Sequence, residues 1–294
     1  MGAFGRAYGD SGAGQEPARL LFPRPSLAGC LAAAIVRDTR LLALTEQQRY
    51  SFFPATPLCS VSLFFDGSSI LRKPGEEAGA PLPAVLFSGP QNKPLTSWNP
   101  GPVRAMTLAL YPDAWEPLTG RPIEDFVDAL IPLAAADGGA LASASSAALE
   151  ADGCDEAFQR FQDRLEPLWR GARSSSRPVN WARDWAKSVS ARAALSPAGR
   201  SLRQAQRRVK SWTGQSLRGI TLHARAEGLF EDFLKAQRSG GMEPARLAHE
   251  AGFADQSHMG RLVRRMTGET PARLGELIGN DERYWFYRLV GEIY

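Results

Sequence analysis

The sequence predicts an α+β chain: a small β-sandwich or barrel with appended helices, then an all-α domain. Three observations predict it. From Leu27 to Pro112, short apolar runs are broken repeatedly by Pro, Gly, Asn and Asp, the texture of strands and turns. After Pro112 the apolar residues recur at helical spacing. Near the C-terminus, a helix, a glycine turn and a second helix have a further copy upstream: Gly199 precedes Gly252 by 53 residues and Gly214 precedes Gly268 by 54.

At 294 residues the chain is long enough for two domains, each with its own core. A hydrophobic content of 44% and a charged content of 22% are ordinary for a globular protein. No apolar run approaches the roughly 18 residues of a membrane span. Residues 1–20 are rich in Gly and Ala but lack a basic start followed by an apolar core, so they read as a flexible tail and not a signal peptide. Cys30, Cys59 and Cys154 are odd in number and widely spaced, which fits reduced thiols in a cytoplasmic protein better than a disulfide framework. The net charge of +4 is unevenly shared. Residues 1–170 hold 14 basic and 19 acidic side chains (−5), whereas residues 171–294 hold 21 and 12 (+9). Only the C-terminal part is suited to meeting a polyanion.

Residues 21–170 read as a β-rich sensor or oligomerisation domain with helices at its end. CLAAAIVRDTRLLAL, RYSFFPATPLCSVSLFF, AVLFSGPQNKP and PVRAMTLALYP supply its strands. All three histidines (His223, His249, His258) lie outside it, which removes a His-ligated metal and a Ser-His-Asp triad from this part of the sequence. No paired carboxylate motif stands out, and SGP at 88–90 has too few glycines for a phosphate loop. Cys59 reads as a small buried apolar residue before it reads as a nucleophile. No catalytic residue, metal ligand or cofactor is therefore expected, and the chain is expected not to be an enzyme.

Pro122 opens a predicted helix, PIEDFVDAL, whereas GGALASASSAALEADG fits either a loop or a weak helix. Phe158, Phe161, Leu165, Leu168 and Trp169 then follow at helical spacing. That helix either packs on the sheet or pairs two copies into a homodimer. GARSSSRP (171–178), polar, basic and ended by proline, is the predicted linker.

The all-α domain is expected over 179–294. Its first helix carries Trp181 and Trp185 at i, i+4, a spacing more often core than ligand site. The clearest unit is the last. Pro244 suits the start of a helix, Leu247, Ala248 and Ala251 give that helix an apolar face, and Gly252 follows where a helix exits through positive φ. Phe253 plugs the turn, and Asp255 can cap the next helix. There Met259, Leu262, Val263 and Met266 recur at i, i+3, i+4, i+7. The opposite face holds Gln256, Ser257, Gly260, Arg261 and Arg264, with no carboxylate. Such a face suits a DNA major groove, although two helices around a glycine also fit a plain helical hairpin.

In the upstream copy Ser201 can cap, and Leu202, Ala205, Val209 and Trp212 are the predicted buried stripe. Arg203, Gln206, Arg207 and Lys210 face outward, again without an acid. Arg can grip guanine O6 and N7, and Gln can grip adenine N6 and N7. Lys210, Arg261 and Arg264 fit phosphate contacts. Residues 217–237 form the expected long connector helix, with His223 on it as a structural residue. Pro197, two residues before Gly199, puts the length of the preceding helix in doubt. Tyr284, Trp285, Phe286 and Tyr287 in a row cannot share one face, and packing against the domain is their default reading.

GFADQSHMGRLVRRMTGETP resembles the second helix-turn-helix of the AraC/XylS family of bacterial transcription regulators. Ala248, Gly252, Phe253, Asp255, Gln256, Ser257, His258, Arg261, Gly268, Thr270 and Pro271 carry the match, while Met259 and Val263 stand where the family usually has Phe. The resemblance implies two helix-turn-helix units, about 190–212 and about 244–266, on a seven-helix domain. It implies base contacts for Arg203, Gln206 and Arg207 in the first unit and for Gln256, Ser257 and His258 in the second. It places Gly199 and Ser201, and Gly252 and Asp255, at the turns and caps. The N-terminal part is then expected to be cupin-like, a likeness carried more loosely by FSGPQNKPLTSWNPGPVRAMTLALYPDAWEPLTG. The expected partners are double-stranded DNA, RNA polymerase and a small-molecule effector, and the expected role is activation. An enzyme-like N-terminal domain with a DNA-binding appendage, or an effector-independent DNA binder, are the alternatives.

Overall fold

The computed structural model describes residues 16–169, 181–196, 201–238 and 244–292. Among the described residues, nine strands form the N-terminal part: β1 (Ala18–Leu21), β2 (Leu31–Asp38), β3 (Tyr50–Phe53), β4 (Cys59–Asp66), β5 (Ile70–Leu71), β6 (Val85–Ser88), β7 (Leu95–Trp98), β8 (Arg104–Leu110) and β9 (Leu130–Pro132). A six-stranded sheet runs β1-β2-β8-β4-β6-β9 and a three-stranded sheet runs β3-β7-β5. Among the described residues, all strand pairings within the two sheets are antiparallel. Of the two predicted forms the sandwich is correct: the cupin-like barrel does not close. The strand pairing begins at Ala18, inside the stretch expected to be tail.

Alternation along the strands gives the large sheet two unlike faces. Val36, Met106 and Leu63 lie side by side across β2, β8 and β4. They are buried in a core shared with α3 (Ala140–Leu149) and α4 (Cys154–Leu165). One residue along, Ile35, Thr107 and Ser62 share the opposite face. Thr107 and Ser62 are small, and around them that face does not fill.

The small-residue stretch is α3, not a loop, with Leu141, Ala144 and Ala148 buried at i, i+3, i+7. The helix predicted from Pro122 is a correction. After α1 (Trp115–Thr119), residues Ile123–Phe126 form one 3₁₀ turn, with Ile123 and Phe126 buried at the i, i+3 period of that geometry. Asp128 (φ 60°) then turns the chain into β9. A short helix α2 (Leu133–Ala136) follows. The predicted linker 171–178 lies outside the described residues.

Seven α-helices follow among the described residues: α5 (Trp181–Leu195), α6 (Leu202–Thr213), α7 (Leu217–Arg238), α8 (Pro244–Glu250), α9 (Gln256–Thr267), α10 (Pro271–Asn280) and α11 (Trp285–Gly291). The helix whose length Pro197 put in doubt runs from Trp181 and stops at Leu195; Gly199 lies outside the described residues. None of the described helices is long and apolar enough to cross a membrane.

The two parts share cores. Trp185, Val189, Val209 and Ile220 pack with Ala32, Ala33, Ala109 and Tyr111 of the sandwich. Asp113 accepts a 2.8 Å hydrogen bond from Trp185 Nε1 and pairs with Arg192 at 2.5 Å. Ala55 joins Ala248, Phe253, Met259 and Met266 in the core of the last unit. Trp285 and Leu289 of α11 close over Ile35.

Candidate nucleic-acid interface

Each recognition helix is delimited by local chemistry. Ser201 caps α6 by accepting from Gln204 N, and Gln204 reaches back to the Ser201 backbone, so two orphan donors are satisfied. Asp255 caps α9 by accepting from His258 N at 2.6 Å. Both helices end in left-handed glycines, Gly214 (φ 69°) and Gly268 (φ 83°), and Gly252 (φ 71°) makes the turn between α8 and α9.

Neither α6 nor α9 contains an acidic residue. Arg203, Gln206, Arg207 and Lys210 are exposed on α6, and Gln256, Ser257, Arg261 and Arg264 on α9, as the periodicity predicted. The cations at 203, 207, 210, 261, 264 and 265 have no carboxylate partner among the described residues. By contrast Arg19, Arg24, Arg104, Arg160, Arg283 and Arg288 each have one. Six unpaired cations therefore lie on α6 and α9, with Arg218 of α7 a further one between them in sequence.

The placement of Leu202 differs from the sequence reading, and those of His258 and Arg208 add to it. Leu202, assigned to the buried stripe, is 70% exposed, because the first residue of α6 precedes the packed turn. His258 is half-buried, with its ring edge-on to Phe253 at 5.5 Å, so it is less available to a base than Gln256 or Ser257. Arg208 is not on the open face: it donates to the Ala193 carbonyl and ties α6 to α5.

The C-terminal ends of both recognition helices abut the sandwich. An added Cβ at Gly214 would lie 2.7 Å from Val127 Cγ2, which shows how closely the 3₁₀ turn region approaches α6. At the other unit Ala55 N donates to Met266 O at 2.8 Å. The N-terminal halves of the helices, which would meet base edges, stay open.

Behind these ends lies a cavity of about 370 Å³ between the two sheets. Ser60, Ser62, Ala105 and Thr107 of the large sheet and Phe53, Leu95 of the small one wall it. Its remaining side belongs to the helical domain: His223 and Phe230 of α7, Met266 and Thr267 of α9, Trp285 and Phe286 of α11. His223, read as structural, thus reaches a chamber whose own domain has no histidine. Burial, aided by the nearby Arg265 charge, lowers its pKa from 6.5 to about 4, so it is neutral near pH 7. Burial pushes the thiols of Cys30 and Cys59 up, so both are inert packing groups. No cluster of three or more metal-ligating side chains occurs among the described residues. The cavity escaped the sequence reading, although its signal was there: β4 and β8 alternate large residues with Ser, Thr and Ala.

Residues 196–276 match a family model described as a helix-turn-helix domain. This segment is an AraC-type helix-turn-helix domain. Such a domain supports a DNA-binding transcription regulator. No curated protein sequence matches the chain. Among solved structures, the chain is similar to an apo form of a ToxT variant from Vibrio cholerae, at 11% identity, covering 82% of this chain and 95% of that one with a TM-score of 0.37. It is also similar to unsaturated fatty acid bound wild-type ToxT from the same organism, at 11% identity, 76% and 93% coverage and a TM-score of 0.32.

Proposed function

We propose that this chain binds double-stranded DNA sequence-specifically and activates transcription in response to a small molecule held in the cavity. What carries the reading is the pair of exposed, acid-free faces whose six cations lack internal partners. An unpaired guanidinium on a capped helix is ready for phosphate or guanine without first breaking an ion pair. Arg203, Gln206 and Arg207 take base edges in one groove, and Gln256, Ser257 and His258 in the next; Lys210, Arg261 and Arg264 hold phosphates. The long helix α7 spans the two units, so consecutive major-groove faces about 34 Å apart are met from one side.

The effector role rests on where the cavity sits. A ligand there touches Met266 and Thr267 at the end of α9, so its binding free energy can favour one setting of the second unit. The walls are mostly apolar, which selects an apolar molecule. Activation, contact with RNA polymerase and pairing of two copies follow the family resemblance.

Selection of bound duplexes from a random pool, followed by affinity measurement across salt concentrations, tests this. A defined motif spanning about two helical turns is expected, with a log–log salt slope of roughly −2.7 if Lys210, Arg261 and Arg264 neutralise three phosphates. A steep slope without any motif would leave a non-specific binder, and no binding at all would overturn the assignment.

A further inference from the structure

One face of the connector helix α7 is turned away from the sandwich. Its cavity side carries His223, Glu227 and Phe230. Residues two apart on an α-helix point about 200° from one another, so Thr221 and Arg225 lie on the far side. Arg218, seven residues before Arg225, falls nearly in line with it. Arg218 and Thr221 are exposed and Arg225 is half-buried. Neither arginine has a carboxylate partner among the described residues; the ion pairs of α7 are made by Glu231, with Arg183 and Lys235. The first acid on this face is Asp232, seven residues past Arg225.

Arg225 fixes where the face points. Its Nη2 donates to Gly252 O at 3.1 Å, in the turn between α8 and α9, and its guanidinium lies 4.5 Å from the Phe253 ring. Phe253 in turn meets the ring of His258, in the first turn of α9. Arg225 therefore sits beside the end of α9 that carries Gln256 and Ser257. Arg218 lies just past the other unit, in the first turn of α7, soon after α6 ends at Thr213. At 1.5 Å per residue the two arginines are about 10 Å apart along α7. Both recognition helices rest their C-terminal ends on the sandwich, so their open N-terminal halves point away from it, as this stripe does. Thr221 Oγ1 donates to Leu217 O at 2.8 Å and is a neutral spacer. A guanidinium has five N–H donors, and Arg225 uses one on Gly252, which leaves the others for an anion.

Resting on the DNA-binding reading above, we propose that α7 is itself part of the interface: Arg218 and Arg225 hold backbone phosphates between the two half-sites, where the minor groove passes the connector. The contact fixes register and carries no base preference. Arg225 ties the turn of the second unit to α7 and grips its phosphate from that fixed place. Each added cation steepens the log–log salt slope by about 0.9, taking it from roughly −2.7 to about −4.5.

The test uses the full chain and a duplex carrying the selected motif. Affinities are measured from about 50 to about 200 mM salt, where a change of 0.9 in slope alters a ratio of affinities about 3.5-fold. Arg218→Gln should flatten the slope by about 0.9, so that its affinity deficit narrows by that factor across the range, with the motif unchanged. Arg218→Lys keeps the charge and should keep the wild-type slope. Arg225→Gln should flatten the slope by the same amount, and Arg225→Lys should restore it. Ethylating the phosphates between the half-sites should block the wild type, and Arg218→Gln should tolerate ethylation at its own phosphate. An unchanged slope in either glutamine variant overturns the contact assigned to that arginine. Interference confined to phosphates within the half-sites overturns the placement on α7. Sequence-specific binding stands in both cases. A wild-type chain that selects no motif overturns the DNA-binding reading and this inference with it.

Discussion

Gly214 and Gly268 occupy equivalent positions at the ends of α6 and α9, so replacing each by alanine gives an experiment with its own control. Both have φ near +70° to +83°, and an L-residue in that region costs about 1–2 kcal/mol. For Gly268→Ala that is nearly the whole cost, because the new Cβ would meet only Pro94 Cγ at 3.8 Å. For Gly214→Ala the Cβ would lie 2.7 Å from Val127 Cγ2, 3.4 Å from the Ile123 carbonyl oxygen and 3.5 Å from Glu124 Cα. Val127 is β-branched and stiff, and the other two atoms are backbone, so little can yield. Overpacking of this kind adds about 1–3 kcal/mol. Urea denaturation should then give about 2–5 kcal/mol for Gly214→Ala against about 1–2 kcal/mol for Gly268→Ala. Adding Val127→Ala should recover most of the excess. Equal costs at the two glycines, or no recovery, would mean that the 3₁₀ turn region does not press on the first recognition helix in solution.

Asp113→Ala strips partners from Trp185 Nε1 and Arg192 and should cost about 2–3 kcal/mol in the same assay, since hydrogen bonds to charged groups contribute about 1.5–3 kcal/mol. A loss below about 0.5 kcal/mol would deny Asp113 its tie between the domains. His223 has a folded-state pKa of about 4 against 6.5 when exposed, so the unfolded chain binds the extra proton. Its contribution is full above pH 6.5 and declines as pH falls toward 4. About 2 kcal/mol should be lost between pH 7.5 and pH 5, and His223→Gln should flatten that slope. Arg207→Ala should weaken binding by about 1–3 kcal/mol at some base positions of the selected motif and not at others. A uniform loss over all sequences would make Arg207 a phosphate contact.

The second helix-turn-helix unit was legible almost residue by residue, because its determinants are local. Asp255 caps three residues ahead, Gly252 and Gly268 take positive φ at the turns, and the stripe from Met259 to Met266 needs only one helix to be recognised. Leu202 misled for the same reason: periodicity assigns a face but not whether a neighbour reaches the first turn. The predicted helix at Pro122 failed because i, i+3 spacing alone does not separate one 3₁₀ turn from an α-helix. The cavity is non-local. It needs the register that sets Ser62 beside Thr107, a second sheet opposite, and residues from α7, α9 and α11 more than 100 positions further along. The Arg37–Glu282 ion pair gave no sign in sequence, since its partners are 245 residues apart.

The central claim is that both acid-free faces engage one duplex at once. Once a preferred site is in hand, affinities are compared for duplexes in which about 5 or about 10 base pairs are inserted between the two contacted half-sites. Five pairs turn one half-site to the far side of the helix and should reduce affinity to that of a single unit; ten pairs restore the facing but exceed the fixed spacing set by α7 and should also weaken binding. Affinity indifferent to both insertions would contradict simultaneous engagement by α6 and α9.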